Sequence, residues 1–379
     1  MQTRPNWAEV SLSALGHNYR AVRQHLSEHV VPCCVVKCDA YGHGVVVCSQ
    51  QLEREGAEWL GVTSTEEAVA VREGGVKSRI MVMTGIWRGE EEAVIRYDLT
   101  PAIATEEHVR SLERAAEALG KPGRSVAVHL KLDTGMGRLG LALGDLPAMI
   151  ERIKQSPCIT LEGVFSHLAS SEVLDAADAT RQIEAFKRAI AQIEAAGLNP
   201  KYRHLANTAA TQARPQTWNN MTRPGLLLYG YQFTFDEARV PDSKLDLKPV
   251  LSWKTRIISL RDFPAGQPIG YNGAFVTKRP SRIAVVPVGY GDGFTRHLSN
   301  KGRVIVRDQY APIVGNVSMD LTTVDVTAVE GASIGDEVIL IGASKSCAIP
   351  ATEHGKHAGT IIYEILCGLS PRVPRIYVD

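Results

Sequence analysis

The chain has 379 residues, 44% hydrophobic and 22% charged, with 42 basic against 41 acidic residues and a net charge of +1. That balance favours neither nucleic acid nor a membrane surface as a partner, and no apolar run reaches the length of a membrane span. Length and composition describe an ordinary soluble globular protein of two domains. The N-terminal stretch MQTRPNWAEV lacks the apolar core of a signal peptide, so a cytoplasmic location is expected. Seven cysteines make an odd count without a C-x-x-C pair. Cys33, Cys34, Cys38 and His43 can be drawn as a metal cluster, but neighbouring strand residues point to opposite faces. Reduced thiols packed in the core are expected instead, with no metal.

In chain order, Leu12, Leu15, Tyr19, Val22 and Leu26 follow the 3-4-3-4 spacing of an amphipathic helix. A buried strand is expected near Val30–Val36. Further strand-like runs follow near Trp59–Thr63, Ile80–Thr84, Pro101–Ala104, Val126–Leu132, Ile159–Phe165, Tyr202–Leu205 and Thr222–Tyr229. Helical faces lie between them: Val109, Leu112 and Ala116 form one, and Ile183, Phe186, Ile190 and Ile193 another that stops at Gly197. Eight strands alternating with helices imply parallel pairing through right-handed crossovers. An α/β fold is expected, with residues 1–240 forming a (β/α)8 TIM-like barrel. A doubly wound open sheet competes on strand count alone. From about Pro241 the texture changes to Gly- and Pro-punctuated strands at Val250–Leu260, Ile283–Val288, Val304–Val306, Thr322–Val326 and Val338–Ile341. Residues 241–379 therefore read as a separate, mostly-β domain.

Within the segment VVKCDAYGHG, Lys37 closes the first apolar run. An ammonium at the end of a buried strand is costly unless paired or neutral, and a neutral amine condenses with carbonyls. Tyr41 and the glycines after it suit a phosphate, which together points to an imine with pyridoxal phosphate. Lysines that end strands also commonly snorkel to solvent. The wording of the segment bears on that choice, because VVKCDAYGHG closely resembles the cofactor-lysine motif of bacterial alanine racemases. Cys38 stands where alanine is commoner.

Other segments carry the same resemblance in family order. DTGMGRLG (133–140) contains a formal G-x-G-x-x-G, a weak dinucleotide signal here because it sits late in the chain. The resemblance implies instead that its glycines carry Arg138 to the substrate carboxylate and the cofactor's phenolic oxygen. Lys131 matches a position that is carbamylated in some family members; an ordinary ion-paired lysine is the alternative. Arg223-Pro224-Gly225 resembles the segment whose arginine donates to the cofactor's pyridine nitrogen, with His167 expected to hold Arg223. HLANT (204–208) resembles the phosphate-binding H-x-A-N-S, implicating Asn207 and Thr208, with Gly225 and Leu226 offering backbone N–H groups. TIIYE (360–364) resembles the segment that brings Tyr363 to the phosphate.

Racemisation needs two opposed acid/base groups. Lys37 is one. The resemblance of IGYNG (269–273) makes Tyr271 the other. VGYGDG (288–293) matches the loop bringing Tyr290 to the substrate entrance, and GNVSMD (315–320) the segment whose Met319 and Asp320 line the pocket. The resemblance implies a homodimer with shared active sites and a racemase interconverting L- and D-alanine for peptidoglycan. A serine, lysine or broad-specificity racemase is the nearest rival. A non-catalytic pyridoxal phosphate carrier would lack the β domain and Tyr271. A barrel decarboxylase would not account for DTGMGRLG and IGYNG together.

Overall fold

A computed structural model describes residues 4–379 except 122, 124, 237, 241 and 242. The domain boundary expected at Pro241 thus lies outside the described residues. The chain divides into two compact units that follow no single cut. One comprises Leu15–Ala40 and Val45–Lys248; the other comprises Met1–Ala14, Tyr41–Gly44 and Pro249–Asp379.

The first unit is a nearly closed barrel. Among the described residues its eight strands are β1 (Val31–Val35), β2 (Trp59–Val62), β3 (Arg79–Val82), β4 (Leu99–Ile103), β5 (Val126–Asp133), β6 (Ile159–Phe165), β7 (Tyr202–His204) and β8 (Met221–Thr222). From β1 to β7 successive strands pair in parallel, and β8 pairs with β1 with Met221 opposite Val31. The seam between β7 and β8 is spanned by the Arg223 N–H, which donates to the Ala206 carbonyl at 3.0 Å. This closure decides against the open sheet.

Seven strands contribute one residue each to a single interior cluster: Cys33, Trp59, Met81, Ala102, Phe165, Tyr202 and Met221. At this level β5 contributes His129, whose ring lies 5.3 Å from that of Trp59 and 5.9 Å from that of Tyr202. Two local features admit the imidazole. The β5–β6 register shifts between Val128 and His129. The opposite residue is Gly163, where a Cβ would stand 2.5 Å from the imidazole. Cys33 faces this interior, while the fully buried Cys34 lies toward Tyr19 of the helix Leu12–His25. All seven cysteines are free thiols.

Two expected strands are corrected. The run Thr222–Tyr229 is strand only at Met221–Thr222, and Leu226–Tyr229 is a 3-10 turn. Pro224 has no N–H for a ladder, and Gly225 at φ −119°, ψ −83° redirects the chain. The run Val250–Leu260 is broken at Ile257–Ile258 into Leu251–Arg256 and Ser259–Phe263, which enter different sheets.

In the second unit the larger sheet runs Gln309–Pro312, Arg303–Val306, Glu337–Ala343, Leu251–Arg256, Asn6–Ser11, Arg375–Val378. The N-terminal strand Asn6–Ser11 alternates buried and half-buried residues, as a strand with one covered face should. A second, antiparallel sheet joins Ser259–Phe263, Ser281–Val286 and Thr322–Asp325. A two-stranded ribbon, Pro268–Ile269 with Phe275–Val276, ends in the turn Tyr271–Gly273. Among the described residues no helix is long and apolar enough to cross a membrane.

Candidate active site

Strand β1 ends at Val35, and the chain then winds the wrong way. Lys37–Gly42 is a short helix in which Cys38, Asp39, Ala40 and Tyr41 have φ of 52°, 53°, 53° and 54°. This is a left-handed turn built on residues that carry side chains. The conformation costs an L-residue roughly 1–2 kcal/mol. Hydrogen bonds fix it: Ala40 N–H donates to the Val36 carbonyl at 2.8 Å, and Val45 N–H to Asp39 Oδ1 at 2.7 Å. Cys38 N–H donates to Glu67 Oε1 at 2.5 Å. Lys37 begins this turn at the C-terminal end of a barrel strand, where barrel chemistry is found.

Lys131 on β5 is 8% exposed and donates to the Met83 carbonyl at 3.0 Å. Burial, with the charges of Arg223, Arg138 and Lys37, pulls its ammonium down to about 8. Arg138 is exposed on the loop after β5. That loop is shaped by Asp133, whose carboxylate accepts the N–H groups of Gly135, Met136 and Gly137 at 2.9–3.1 Å. Gly140 packs so closely that a Cβ would lie 2.6 Å from the Asp133 nitrogen. The glycines of DTGMGRLG therefore serve the turn, as the sequence suggested. His167 follows β6. Burial and the same cations, Arg223, Arg138, Lys131 and Lys37, push its imidazole down to about 3.

Arg223 is 4% exposed. Its Nη1 donates to His204 Nδ1 at 2.8 Å and to the His204 carbonyl at 3.1 Å. Its Nη2 donates to the carbonyls of Ser166 at 2.7 Å and Leu205 at 3.2 Å. Four of the five guanidinium N–H groups are thereby used, on Nη1 and Nη2. The imidazole holding Arg223 is thus His204, not His167. His204 is the last residue of β7, and its ring stacks on Phe165 at 4.8 Å. Because arginine only donates, His204 Nδ1 accepts, so Nε2 carries the proton toward His129 Nδ1 at 2.9 Å. His129 Nε2 in turn lies 3.9 Å from Glu162, which is paired with Arg79.

Asn207 caps the helix Thr208–Ala213 by accepting the Ala210 N–H at 3.2 Å. Thr208 Oγ1 accepts from Gly225 N–H at 2.9 Å and Leu226 N–H at 3.3 Å. Both lone pairs are then occupied, and the hydroxyl remains only as a donor. The Thr208 hydroxyl and the starts of two helical turns meet here, an arrangement that suits a phosphate, while the Gly225 and Leu226 N–H groups, expected to face that phosphate, are donated to Thr208 Oγ1 instead.

The second unit gathers the remaining motifs. The rings of Tyr41 and Tyr363 lie 5.8 Å apart. Tyr271, at the ribbon tip, is 71% exposed, and its carbonyl accepts from Asn316 Nδ2 at 3.1 Å. Tyr290 N–H donates to the Ser318 carbonyl at 3.0 Å and Gly291 N–H to the Met319 carbonyl at 2.9 Å. Gly289 permits this approach, since a Cβ there would sit 2.2 Å from the Ser318 carbonyl oxygen. IGYNG, VGYGDG and GNVSMD therefore form one cluster. Asp292, fully buried, anchors it by accepting Arg4 Nη1 at 2.6 Å and Gly289 N–H at 3.0 Å. Asp320 pairs with Arg372 at 2.6 Å. The roles of His204, His129, Glu67 and Asp292 are not evident in the sequence; the signals it carries are a histidine inside the apolar run of β5 and Ser64 three residues before Glu67 as a helix start. Among the described residues no His, Cys, Asp and Glu group could hold a metal ion.

The buried imidazoles carry a pH consequence. Burial first, then the charges of Arg79 and Arg223, lowers His129 from 6.5 to about 3, and burial with Arg223 and His129 holds His204 well below its ordinary value. In the unfolded chain both bind protons near pH ~6.5. Between about pH 6.5 and 3 the unfolded state therefore binds more protons than the native state, and stability falls with falling pH. Melting temperature is expected to hold above about pH 7 and to decline below about pH 6.5. A thermal-melt series that stays flat through that window would contradict this assignment.

Comparison with known proteins accords with this geometry. The alanine racemase N-terminal domain profile matches residues 10–233, and the alanine racemase C-terminal domain profile matches residues 250–377. The chain is 42% identical to the alanine racemase of Syntrophobacter fumaroxidans, over 96% of this chain and 95% of that one. The structure of alanine racemase from Streptomyces lavendulae superimposes with a TM-score of 0.92 at 30% identity, covering 100% of this chain and 98% of that one. An alanine racemase from Bartonella henselae, described with covalently bound pyridoxal phosphate, matches with a TM-score of 0.85 at 30% identity, covering 99% of each chain. The chain belongs to the alanine racemase family.

Proposed function

We propose that this chain interconverts L- and D-alanine, using pyridoxal phosphate held at Lys37. The observation that carries the reading is the donor-rich mouth of the barrel. Lys37, Arg138 and Arg223 all act electrostatically on Lys131, and with it on His167, and Asp133 is the carboxylate that offsets them at Lys131. Such a mouth selects anionic groups. The donors fit the cofactor: the Thr208 hydroxyl and helix starts suit its phosphate, and Arg223 Nε–H suits its ring nitrogen. Asn207, Tyr41 and Tyr363 would complete the phosphate end in this reading.

When bound, pyridoxal phosphate supplies the electron withdrawal that acidifies the Cα–H of an attached amino acid. The protein's part is to hold and move that proton. Arg223 would donate to the ring nitrogen without surrendering its proton, which would keep the electron sink weak and disfavour transamination. Arg138 orients the substrate carboxylate. Lys37 and Tyr271 serve opposite faces of Cα, one taking the proton while the other gives one back. Met319, Asp320 and Tyr290 border the substrate. The exposed Tyr271, Tyr290, Met319 and Leu321 form the face offered to a second copy of the chain, which supports a homodimer with shared sites. A cytoplasmic location and supply of D-alanine for peptidoglycan accompany this reading.

Cofactor-loaded protein is expected to convert L-alanine to an equimolar mixture of enantiomers, followed by chiral chromatography. Lys37→Ala and Tyr271→Phe should each slow this by about 10²–10⁴-fold. Full activity in either variant would remove that residue from its role. Mixed Lys37→Ala and Tyr271→Phe chains should regain activity once subunits exchange; no recovery after demonstrated exchange would refute the shared site. Lys131 becomes neutral as pH rises through about 8, and a neutral amine takes up carbon dioxide. A carbamate carbon signal from labelled carbon dioxide is expected at Lys131 and lost in Lys131→Arg; no such signal would leave Lys131 an ordinary amine.

A further inference from the structure

The left-handed turn after β1 is tied from outside by one carboxylate. Glu67 Oε1 accepts Cys38 N–H at 2.5 Å and Asp39 N–H at 3.4 Å, while its Oε2 accepts Thr63 N–H at 3.1 Å. Cys38 and Asp39 open a helical turn, so their N–H groups are among those the turn cannot satisfy itself. Glu67 is the third residue of the helix Thr65–Glu73, and its own N–H is fixed by the N-cap Ser64 at 3.2 Å. In an ordinary capping box a glutamate at this position folds back onto the N-cap N–H. Here one oxygen reaches a residue further back, to Thr63 at the end of β2, and the other crosses to the turn after β1.

Charge and geometry both suit the task. A carboxylate only accepts, and it has enough lone pairs for all three N–H groups. Its backbone is held by the helix, so the turn it grips cannot relax without breaking bonds to two barrel strands. The other end of the turn is held separately, by Asp39 Oδ1 on the Val45 N–H. Cys38, Asp39 and Ala40 all adopt φ near +53°, where only glycine is at ease.

We propose that Glu67 is a positioning residue that locks the left-handed turn and so fixes where Lys37 presents its amine. The proposal rests on the reading of Lys37 as the cofactor lysine.

The test uses full-length protein carrying Glu67→Ala, Glu67→Gln, or Glu67→Ala with Cys38→Gly. Amide hydrogen exchange at Cys38 and Asp39 reads the turn, and borohydride reduction with peptide mapping reads the fraction of Lys37 joined to added pyridoxal phosphate. Glu67→Ala is expected to speed exchange at both amides and to lower kcat/KM by about 10–100-fold. Glu67→Gln keeps an oxygen for Cys38 but turns its amide NH2, a donor, toward the Thr63 N–H, so it should fall between and remain folded. Cys38→Gly should recover much of the Glu67→Ala loss, because glycine takes positive φ without steric cost. Wild-type exchange and wild-type Lys37 labelling in both single variants would overturn the proposal. So would a double variant no better than Glu67→Ala. Failure of the wild type itself to label at Lys37 would instead overturn the functional reading.

Discussion

Left-handed helical backbone is rare for residues with side chains because Cβ crowds the following carbonyl, at roughly 1–2 kcal/mol for each residue. Four successive residues, Cys38 to Tyr41, accept that cost here. The sum, about 4–8 kcal/mol, is comparable with the whole net stability of a typical domain, about 5–15 kcal/mol. The turn therefore depends on its surroundings. Val36 N–H is fixed to the Gly61 carbonyl at 2.9 Å, Ala40 to Val36, Asp39 to Val45, and Cys38 to Glu67. A backbone outlier held this firmly next to Lys37 is a reason to look for function there.

The second constraint is electrical. Among the described residues, Arg223 has no carboxylate in direct contact; backbone carbonyls and a neutral imidazole take up its Nη donors. The polarity of the chain beyond it follows from the ends. Arginine only donates, and Glu162 only accepts while ionised, so the protons of His204 and His129 both point away from Arg223. Protonating either ring would set a donor against a donor, which agrees with the low affinity of both imidazoles for protons. What surrounds Lys131 at the mouth is an excess of positive charge, from Arg223, Arg138 and Lys37, offset by Asp133.

Much of this was legible in the chain because buried parallel strands announce themselves as short apolar runs. The strands near Val30–Val36 and Ile159–Phe165 fall where the runs lie. The eighth was overextended because Leu226–Tyr229 is as apolar as a strand, although Pro224 and Gly225 mark the break. The N-terminal strand Asn6–Ser11 depends on partners near Leu251 and Arg375, a pairing that no local pattern carries. Likewise, the left-handed turn is written in Cys-Asp-Ala-Tyr, with no glycine to flag it. His204 ends β7 while His167 follows β6, and only the inward register of β7 assigns Arg223 to His204. Ser64 and Glu67 are readable as a helix start, but not the turn that Glu67 reaches.

Two-base racemisation is tested most directly by incubating the cofactor-loaded protein with L-alanine in deuterium oxide. The deuterium content and the configuration of Cα are then followed in the same sample. Because one base removes the proton and a different group supplies its replacement, D-alanine formed early should carry solvent deuterium at Cα. D-alanine that instead retains the original proton would mean a single base carrying it across, and would contradict the separate roles of Lys37 and Tyr271.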